Sequence, residues 1–221
     1  MEGIQNSAGK PVLLKMVKAI QDNKDYLSEV DGRIGDGDHG MNMNKGFTLF
    51  GEQIADKNIS FTQGLHELGT LLFSRIGGSM GPIYGSIFTS MAAAGENVAV
   101  IDAAALAAMI DAGLRGLREL VQAEVGDKTL VDTLAPAYEA IRKAVQEGKT
   151  LAQALEEMKA AAEQGRDSTK DLVARFGRSS RLGERSRGVL DAGAVSCCII
   201  LCTMAEGILE QARLEQPGTV S

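Results

Sequence analysis

The sequence predicts an all-α protein. Aromatic residues make up only 4% of the 221 residues, and the alternating runs of valine, isoleucine and threonine that form strands are almost absent. Alanine, leucine and glutamate are abundant instead, and apolar residues recur at the three-and-four spacing of helices. A chain of this length buries one substantial core, and neither a linker nor a repeat divides it. We therefore expect a single helical domain over residues 1–221.

Helix starts are marked at three places. Asp102 precedes a leucine-rich run with helical spacing and is a candidate N-cap. Ser60 and Gln63 form a capping-box pattern, in which a hydroxyl and an amide satisfy each other's free backbone donors. Thr150 and Gln153 repeat it. From these signals we expect about eight helices, with a short helical turn before Gly177: residues 10–29, 42–55, 61–75, 83–94, 102–123, 130–147, 151–165 and 189–213.

Charge, apolar runs and cysteines narrow the class of protein. With 29 acidic and 23 basic residues the formal net charge is -6, so we expect neither nucleic acid nor an anionic membrane as a partner. The most apolar run, residues 194–205, is shorter than the ~20 residues of a membrane span, and the N-terminus shows no signal-peptide pattern. Cys197, Cys198 and Cys202 share one helix, as core thiols in a reducing compartment would. The sequence thus predicts a soluble, cytoplasmic protein.

The stretch GDGDHG, residues 35–40, predicts a metal site. Asp31, Asp36 and Asp38 lie close in sequence, and Gly37 permits a backbone turn that brings carboxylates together. Like charges this close repel each other unless a cation separates them. Such an oxygen-only set suits Mg²⁺ completed by water and phosphate, whereas a calcium EF-hand fails on its downstream spacing. The alternative is a solvated acidic turn.

Three further segments are candidates for an anion site on the same helical frame. His39 can bond a phosphate oxygen, ligate the metal or be a structural residue, and Asn42 with the free amides of the next helix faces an anion well. The glycines of GGSMGPIYG, residues 77–85, form an anion-binding nest or permit tight helix packing. In the arginine segment, residues 175–187, guanidinium groups suit phosphate oxygens or pair with acids such as Glu184. Its five arginines are Arg175, Arg178, Arg181, Arg185 and Arg187.

Four motifs together resemble a known family. GDGDHG followed by MNM, GG-x-x-GP-x-YG, GDKT and GR-x-S-x-LGERS-x-G-x-x-D-x-G occur in this order over residues 20–196. The chain is identified by this resemblance as a member of the DhaL family, the nucleotide-binding subunits of dihydroxyacetone kinases. The resemblance implies an eight-helix up-and-down antiparallel barrel, with ADP or ATP and two Mg²⁺ ions held by loops at one end.

The resemblance also assigns residues to that site. Asp31, Asp36 and Asp38 would be the metal ligands, and Thr129 with Leu130 would line the base pocket. No catalytic residue is expected in this chain, because the base and the sugar-binding histidine of such kinases belong to a separate subunit, DhaK. The nucleotide contacts that it implies are His39, Gly40, Met41, Asn42, Gly78, Ser79, Met80, Thr129, Leu130, Arg178, Asp191, Ala192 and Gly193.

The partners follow from the same resemblance. A DhaK-like subunit would present the acceptor, dihydroxyacetone or a related triose or tetrose ketose. In some members a phosphocarrier, DhaM, rephosphorylates the bound ADP, and in others ATP exchanges. The alternative function is a nucleotide-sensing subunit that binds a transcription regulator without turnover of its own.

Four positions depart from the family's pattern. Met80 stands where a serine or another small polar residue is usual, and Val121 replaces a glycine found in some members. Val189 and Ala192 replace the histidine and proline of the usual ending GHxDPG. We expect the backbone N–H of Met80 to take over the phosphate contact and the loop from Val189 to Ala192 to be relaxed.

Overall fold

The computed structural model describes residues 3–215 and confirms the all-α class. Over this part of the chain, nine α-helices carry the fold, and the only strands are two of two residues each. The helices are α1 (Lys10–Asp22), α2 (Lys24–Gly32), α3 (His39–Ile54), α4 (Phe61–Arg75), α5 (Met80–Ala94), α6 (Ala103–Leu120), α7 (Val131–Gln146), α8 (Leu151–Ser168) and α9 (Ala192–Glu215).

The first predicted helix, residues 10–29, is two helices in the structure. The break is at Asn23, whose φ and ψ are -101° and 8°. Its side-chain amide donates to the carbonyl of Ala19 at 2.8 Å, and that carbonyl also accepts the Asn23 backbone N–H at 3.2 Å. Asparagine bonds the backbone locally and so favours helix ends over helix interiors. The other predicted helices begin within three residues of their observed starts.

A small antiparallel sheet was not predicted. Strand β1 (Ile4–Gln5) pairs with β2 (Val100–Ile101), with Ile4 opposite Ile101. Both isoleucine side chains are fully buried, so the pairing ties the start of the described chain to the core. The predicted helical turn before Gly177 is a 3₁₀ turn, Thr169–Asp171. A longer 3₁₀ segment, Arg178–Ser186, follows that glycine.

The helices pack in a closed order. From α3 to α9 each helix contacts the next one, α9 contacts α1, and α1 contacts α3. The short helix α2 lies against α3 and α9. Among the core side chains, Phe47 and Phe88 meet edge to face with ring centroids 6.2 Å apart. The eight-helix barrel stays a prediction, and this closed order supports it.

Helix α9 is the most apolar element. By length and composition it is the one described helix that can cross a membrane, but 72% of its most apolar stretch is buried within the protein. Cys197 and Cys198 are buried, Cys202 is partly buried, and all three are free thiols. The helix is therefore a central core element, and the prediction of core thiols is confirmed.

Both predicted capping boxes form. In the second, the Thr150 hydroxyl accepts from the Gln153 N–H at 3.2 Å and the Gln153 side chain accepts from the Thr150 N–H at 3.0 Å. We expect Thr150→Ala to lower the free energy of unfolding by about 1 kcal/mol, because it removes the hydroxyl half of the box. Urea denaturation followed by circular dichroism measures this. Thr150→Ser is the control that keeps the cap; equal midpoints for the two variants would show that the cap contributes nothing.

Candidate functional site

Four loops meet at one cavity of about 320 Å³. They are residues 33–38, 77–79, 121–130 and the connection between α8 and α9, so the four motif-bearing loops do converge. The three aspartates line this cavity, and so do all the predicted nucleotide contacts except Gly40 and Met41. The structure therefore brings together residues that are up to 162 positions apart in the sequence, from Asp31 to Gly193.

The helices alternate in direction around the cavity. Helices α3, α5, α7 and α9 begin with residues that line it. Lining residues also lie at the ends of α2 and α6 and two residues beyond α4. The first amides of a helix lack partners within the helix, and the helix dipole makes that end positive. Four such ends therefore favour an anion in this cavity. The sequence predicted this effect only for the helices beginning near residues 39 and 79.

The three aspartates form an acidic corner of the cavity. One oxygen from each of Asp31, Asp36 and Asp38 lies within 4.8 Å of the other two. Gly37 between the last two has a φ of +78°, which a residue with a Cβ rarely adopts. The backbone N–H of His39 donates to Asp31 Oδ2 at 3.3 Å. The three aspartates offer only carboxylate oxygens as metal ligands and are partly accessible to solvent. They therefore fit a hard cation that keeps water and phosphate ligands.

The His39 side chain is buried and hydrogen-bonded. Its Nε2 lies 2.9 Å from Ser196 Oγ, which is 2.7 Å from Tyr84 Oη and donates to the carbonyl of Gly193 at 3.1 Å. Burial lowers the pKa of His39 to about 4, although Asp31 acts to raise it. The imidazole is therefore neutral at pH 7, and its Nε2 is engaged by Ser196. Of the three roles considered for this ring, the structure favours the structural one.

Gly40 and Met41 lie beside the cavity instead of lining it. A Cβ at Gly40 would overlap the backbone of Lys24 and Ser28, so this glycine allows α2 and α3 to approach closely. Met41 is 54% exposed at the first turn of α3. Asn42, one residue further, lines the cavity as predicted.

The loop before α5 is open and glycine-rich. No atom lies within 4 Å of a Cβ built at Gly77 or Gly78, and Gly78 has a φ of +71°. Ser79 precedes α5 without capping it, and Pro82 lies in the first turn, where its missing N–H costs nothing. The loop can therefore let a ligand approach its backbone closely, as a nest would.

The side chain of Asp132, in the first turn of α7, holds the GDKT loop through two hydrogen bonds. The Asp132 carboxylate accepts from the N–H of Gly126 at 2.6 Å and of Thr129 at 2.7 Å. Asp132 and Lys128 are each only 1% exposed. The sequence predictions included neither residue. A threonine followed three residues later by an aspartate is a capping-box pattern, which gives a signal for Asp132 but none for the burial of Lys128.

Part of the cavity lining is apolar. Ile83, Leu117, Val121, Leu130 and Phe176 line it. The acidic corner and this wall belong to the same cavity, so the site suits a ligand that has both a charged part and an apolar, flat part. Leu130 lies where the base pocket was predicted, and Val121 faces the same space.

The arginine segment contributes only one guanidinium to the cavity lining. Arg178 forms an ion pair with Asp36. Arg175 pairs with Asp127 at 3.1 Å and Arg187 with Glu184 at 3.0 Å. Pairing with acids, the alternative considered for this segment, therefore holds for three of its five arginines, and Arg178 is the one that borders the cavity. Arg181 and Arg185 are exposed and do not line the cavity.

The loop before α9 is held by hydrogen bonds, although it lacks the family's usual histidine and proline. Asp191 donates its N–H to Thr169 Oγ1 at 3.0 Å, and its carboxylate accepts the N–H of Ala194 at 2.8 Å. Ala192 is the first residue of α9, a position that proline tolerates but does not need. Burial raises the pKa of Asp191 to about 6, while its bond from Ala194 and the charge of Lys128 act to lower that pKa. The expectation of a relaxed loop is not what the contacts show.

Fold and cavity together define a helical domain in which a carboxylate cluster that fits a cation and helix ends that suit an anion border the same cavity. Residues 33–206 match the DAK2 domain family. The chain is 35% identical to the ADP-binding subunit DhaL of PEP-dependent dihydroxyacetone kinase 1 from Listeria innocua, over 85% of this chain and 89% of that protein. It is 38% identical to the ADP-binding subunit DhaL of the PEP-dependent dihydroxyacetone kinase of Escherichia coli, over 82% and 87%. The chain therefore belongs to the DAK2 domain family, and the resemblance to DhaL is confirmed.

A solved structure shows the same fold. The dihydroxyacetone kinase from C. freundii in complex with AMP-PNP and Mg²⁺ superposes with a TM-score of 0.67 at 22% identity. The match covers 90% of this chain and 33% of that one. At 22% identity, the similarity shows that the two chains share a fold and nothing more.

Proposed function

We propose that this chain is the nucleotide-binding subunit of a kinase for a short ketose, dihydroxyacetone or a related triose or tetrose. Residues 1–221 would form one domain that holds Mg–ADP or Mg–ATP in the cavity. The single observation that carries the proposal is the convergence of three carboxylates with four helix N-terminal ends in a cavity with one apolar wall. Free thiols and a buried apolar helix support a cytoplasmic location.

The acidic corner would hold two Mg²⁺ ions through Asp31, Asp36 and Asp38. Bound there, magnesium supplies positive charge to the phosphate oxygens, on which phosphoryl transfer depends. Asp31 lies in the last turn of α2 and Asp36 and Asp38 lie in the loop that leads into α3, so the cation would lie near the start of that helix. Asp36 is paired with Arg178, and a metal at Asp36 leaves that guanidinium for a phosphate oxygen.

The phosphates would lie between two helix starts. His39 and Asn42 at the start of α3 line the cavity there, and so do Gly78, Ser79 and Met80 at the start of α5. Because Met80 has no polar side chain, its backbone N–H makes the contact. Arg178 and the residues from Asp191 to Gly193 close the third side. Preorganised donors of this kind stabilise charge without reorganisation during the reaction.

The base would lie against the apolar wall. Thr129 and Leu130 start this wall, and Leu117, Val121 and Phe176 continue it. Thr129 keeps its hydroxyl on the backbone, where it accepts the N–H of Val131 at 3.1 Å. An aromatic nucleobase packed on such side chains gains apolar contact, but its hydrogen-bonding edge is not recognised.

The acceptor sugar and the general base would come from a DhaK-like partner. Among the described residues that line the cavity, His39 has its Nε2 bonded to Ser196, Asp191 accepts the N–H of Ala194, and Asp31, Asp36 and Asp38 would bind the cation. The donor is a DhaM-like phosphocarrier that acts on bound ADP, or ATP that exchanges. No feature of residues 3–215 favours a transcription regulator as partner, so we do not extend the proposal to one.

Reconstitution tests this proposal. The chain is incubated with Mg²⁺, dihydroxyacetone and ATP, alone and with a DhaK-like sugar-binding subunit, and with a phosphocarrier in place of ATP. We expect no sugar phosphate from the chain alone and turnover once the partner is added. The donor that sustains turnover assigns the mode of phosphate supply. Phosphorylation by the chain alone would contradict the division of labour.

A further inference from the structure

Lys128 occupies an unusual position for a lysine. Its residue is 1% exposed, although the GDKT loop borders the cavity. Its φ of +61° is the only positive φ of a non-glycine residue in the described range 3–215. That conformation is strained for a residue with a Cβ. The two hydrogen bonds from Gly126 and Thr129 to Asp132 hold the loop in this shape, which delivers the lysine side chain into the interior.

The ammonium group of Lys128 joins two other segments. It donates to the carbonyl of Thr169, directly after α8, and to the carbonyl of Val189, shortly before α9. These carbonyls lie on either side of the arginine segment. Burial lowers the pKa of Lys128, while the carboxylates of Asp191 and Asp132 raise it. The buried charge therefore has both hydrogen-bond acceptors and counter-charges, as a buried lysine requires.

Two further hydrogen bonds, one between backbone groups and one to a side chain, lie at the base of the connection between α8 and α9, where its two ends meet. The N–H of Gly188 donates to the carbonyl of Lys170 at 2.7 Å, and the N–H of Asp191 donates to Thr169 Oγ1 at 3.0 Å. These bonds join the two ends of the loop to each other. Lys128 joins both ends to the GDKT loop, and the ion pair of Asp127 with Arg175 holds the start of the segment.

Residues within the connection between α8 and α9, and residues directly after it, line the cavity. Phe176 to Ser179 line it from within the loop, and Asp191 to Gly193 line it directly after the base. Lys128 borders the cavity, but its ammonium group is bonded to the carbonyls of Thr169 and Val189. We propose that Lys128 is a positioning residue, which fixes Arg178 and residues 191–193 relative to the GDKT loop. The choice of ligand rests on the proposed function.

Calorimetric titration of the full chain with Mg–ADP tests the proposal. We expect Lys128→Met to weaken binding about tenfold, because losing a contact that holds ligand-binding residues in place has an effect of this size. Lys128→Arg should recover most of the affinity, because a guanidinium can donate to both carbonyls. Lys170→Met is the matched control, since it removes an exposed lysine beside the same base and should stay within about twofold of wild type.

Each titration is run at a temperature where circular dichroism shows the variant folded. A purely structural role would lower the melting temperature of Lys128→Met and leave the Kd of the folded protein unchanged, and that result would overturn the positioning role. Failure of the wild-type chain to bind Mg–ADP would count against the proposed function instead.

Hydrogen exchange of the nucleotide-free wild-type chain tests the same inference without the methionine variant. The amides of Gly188 and Asp191 should exchange much more slowly than those of residues 178–180, at the exposed start of the 3₁₀ segment. Equally fast exchange at both places would show that the two ends of the connection between α8 and α9 are not held together before the ligand binds. The inference would then fail even if Lys128→Met does not fold.

Discussion

Replacing Asp36 and Asp38 together by alanine is expected to abolish Mg²⁺-dependent binding of ADP. The two residues supply two of the three carboxylates in the acidic corner, and Asp31 alone cannot hold a strongly hydrated cation against water. Without the metal, the phosphates meet only backbone amides and Arg178. Calorimetry with ADP in magnesium buffer measures the loss.

The same double variant should stay folded. Asp36 is 37% exposed at its side chain, neither residue belongs to the core, and their removal relieves repulsion between like charges. Circular dichroism should therefore show an unchanged helical spectrum. Asp25→Ala is the control, because that carboxylate on α2 has a side chain that is 95% exposed. Binding retained by the double variant would refute the metal assignment.

Asp132→Ala is expected to lower the free energy of unfolding by about 3 kcal/mol. The substitution removes the acceptor of two backbone N–H groups in the GDKT loop and a counter-charge of the buried Lys128. Unpaired buried donors and charges carry their full desolvation cost. Urea denaturation measures the change.

Two comparisons make that result specific. Asp132→Asn keeps one oxygen acceptor and should cost less than the alanine variant. Asp22→Ala removes an exposed aspartate paired with Lys18, and its effect should stay below about 1 kcal/mol. If Asp132→Ala is as mild as Asp22→Ala, the loop does not depend on this carboxylate.

Local signals were enough to predict the helices. Apolar spacing and capping residues located the elements from α3 to α9 because both act over a few residues. The break at Asn23 depends on one side-chain bond to Ala19, and the pairing of Ile4 with Ile101 spans 97 positions. Periodicity carries no information on either.

The acidic corner was predictable because its three carboxylates are close in sequence. The role of the His39 ring was not, since its partner Ser196 lies 157 residues away. The arginine segment was harder for a related reason: the pairing with Glu184 is local and was considered, but only tertiary structure shows that Asp127 pairs with Arg175 and Asp36 with Arg178. Lys128 was missed because a lysine in a loop is ordinarily solvated.

Native mass spectrometry of the purified chain tests the central claim most directly. The chain is sprayed from magnesium buffer with ADP, and again after a chelator has removed the metal. We expect a complex with the mass of the chain plus ADP and magnesium, and we expect it to disappear on chelation. A chain that stays bare in magnesium and ADP, or that binds ADP equally well with the chelator, would contradict it.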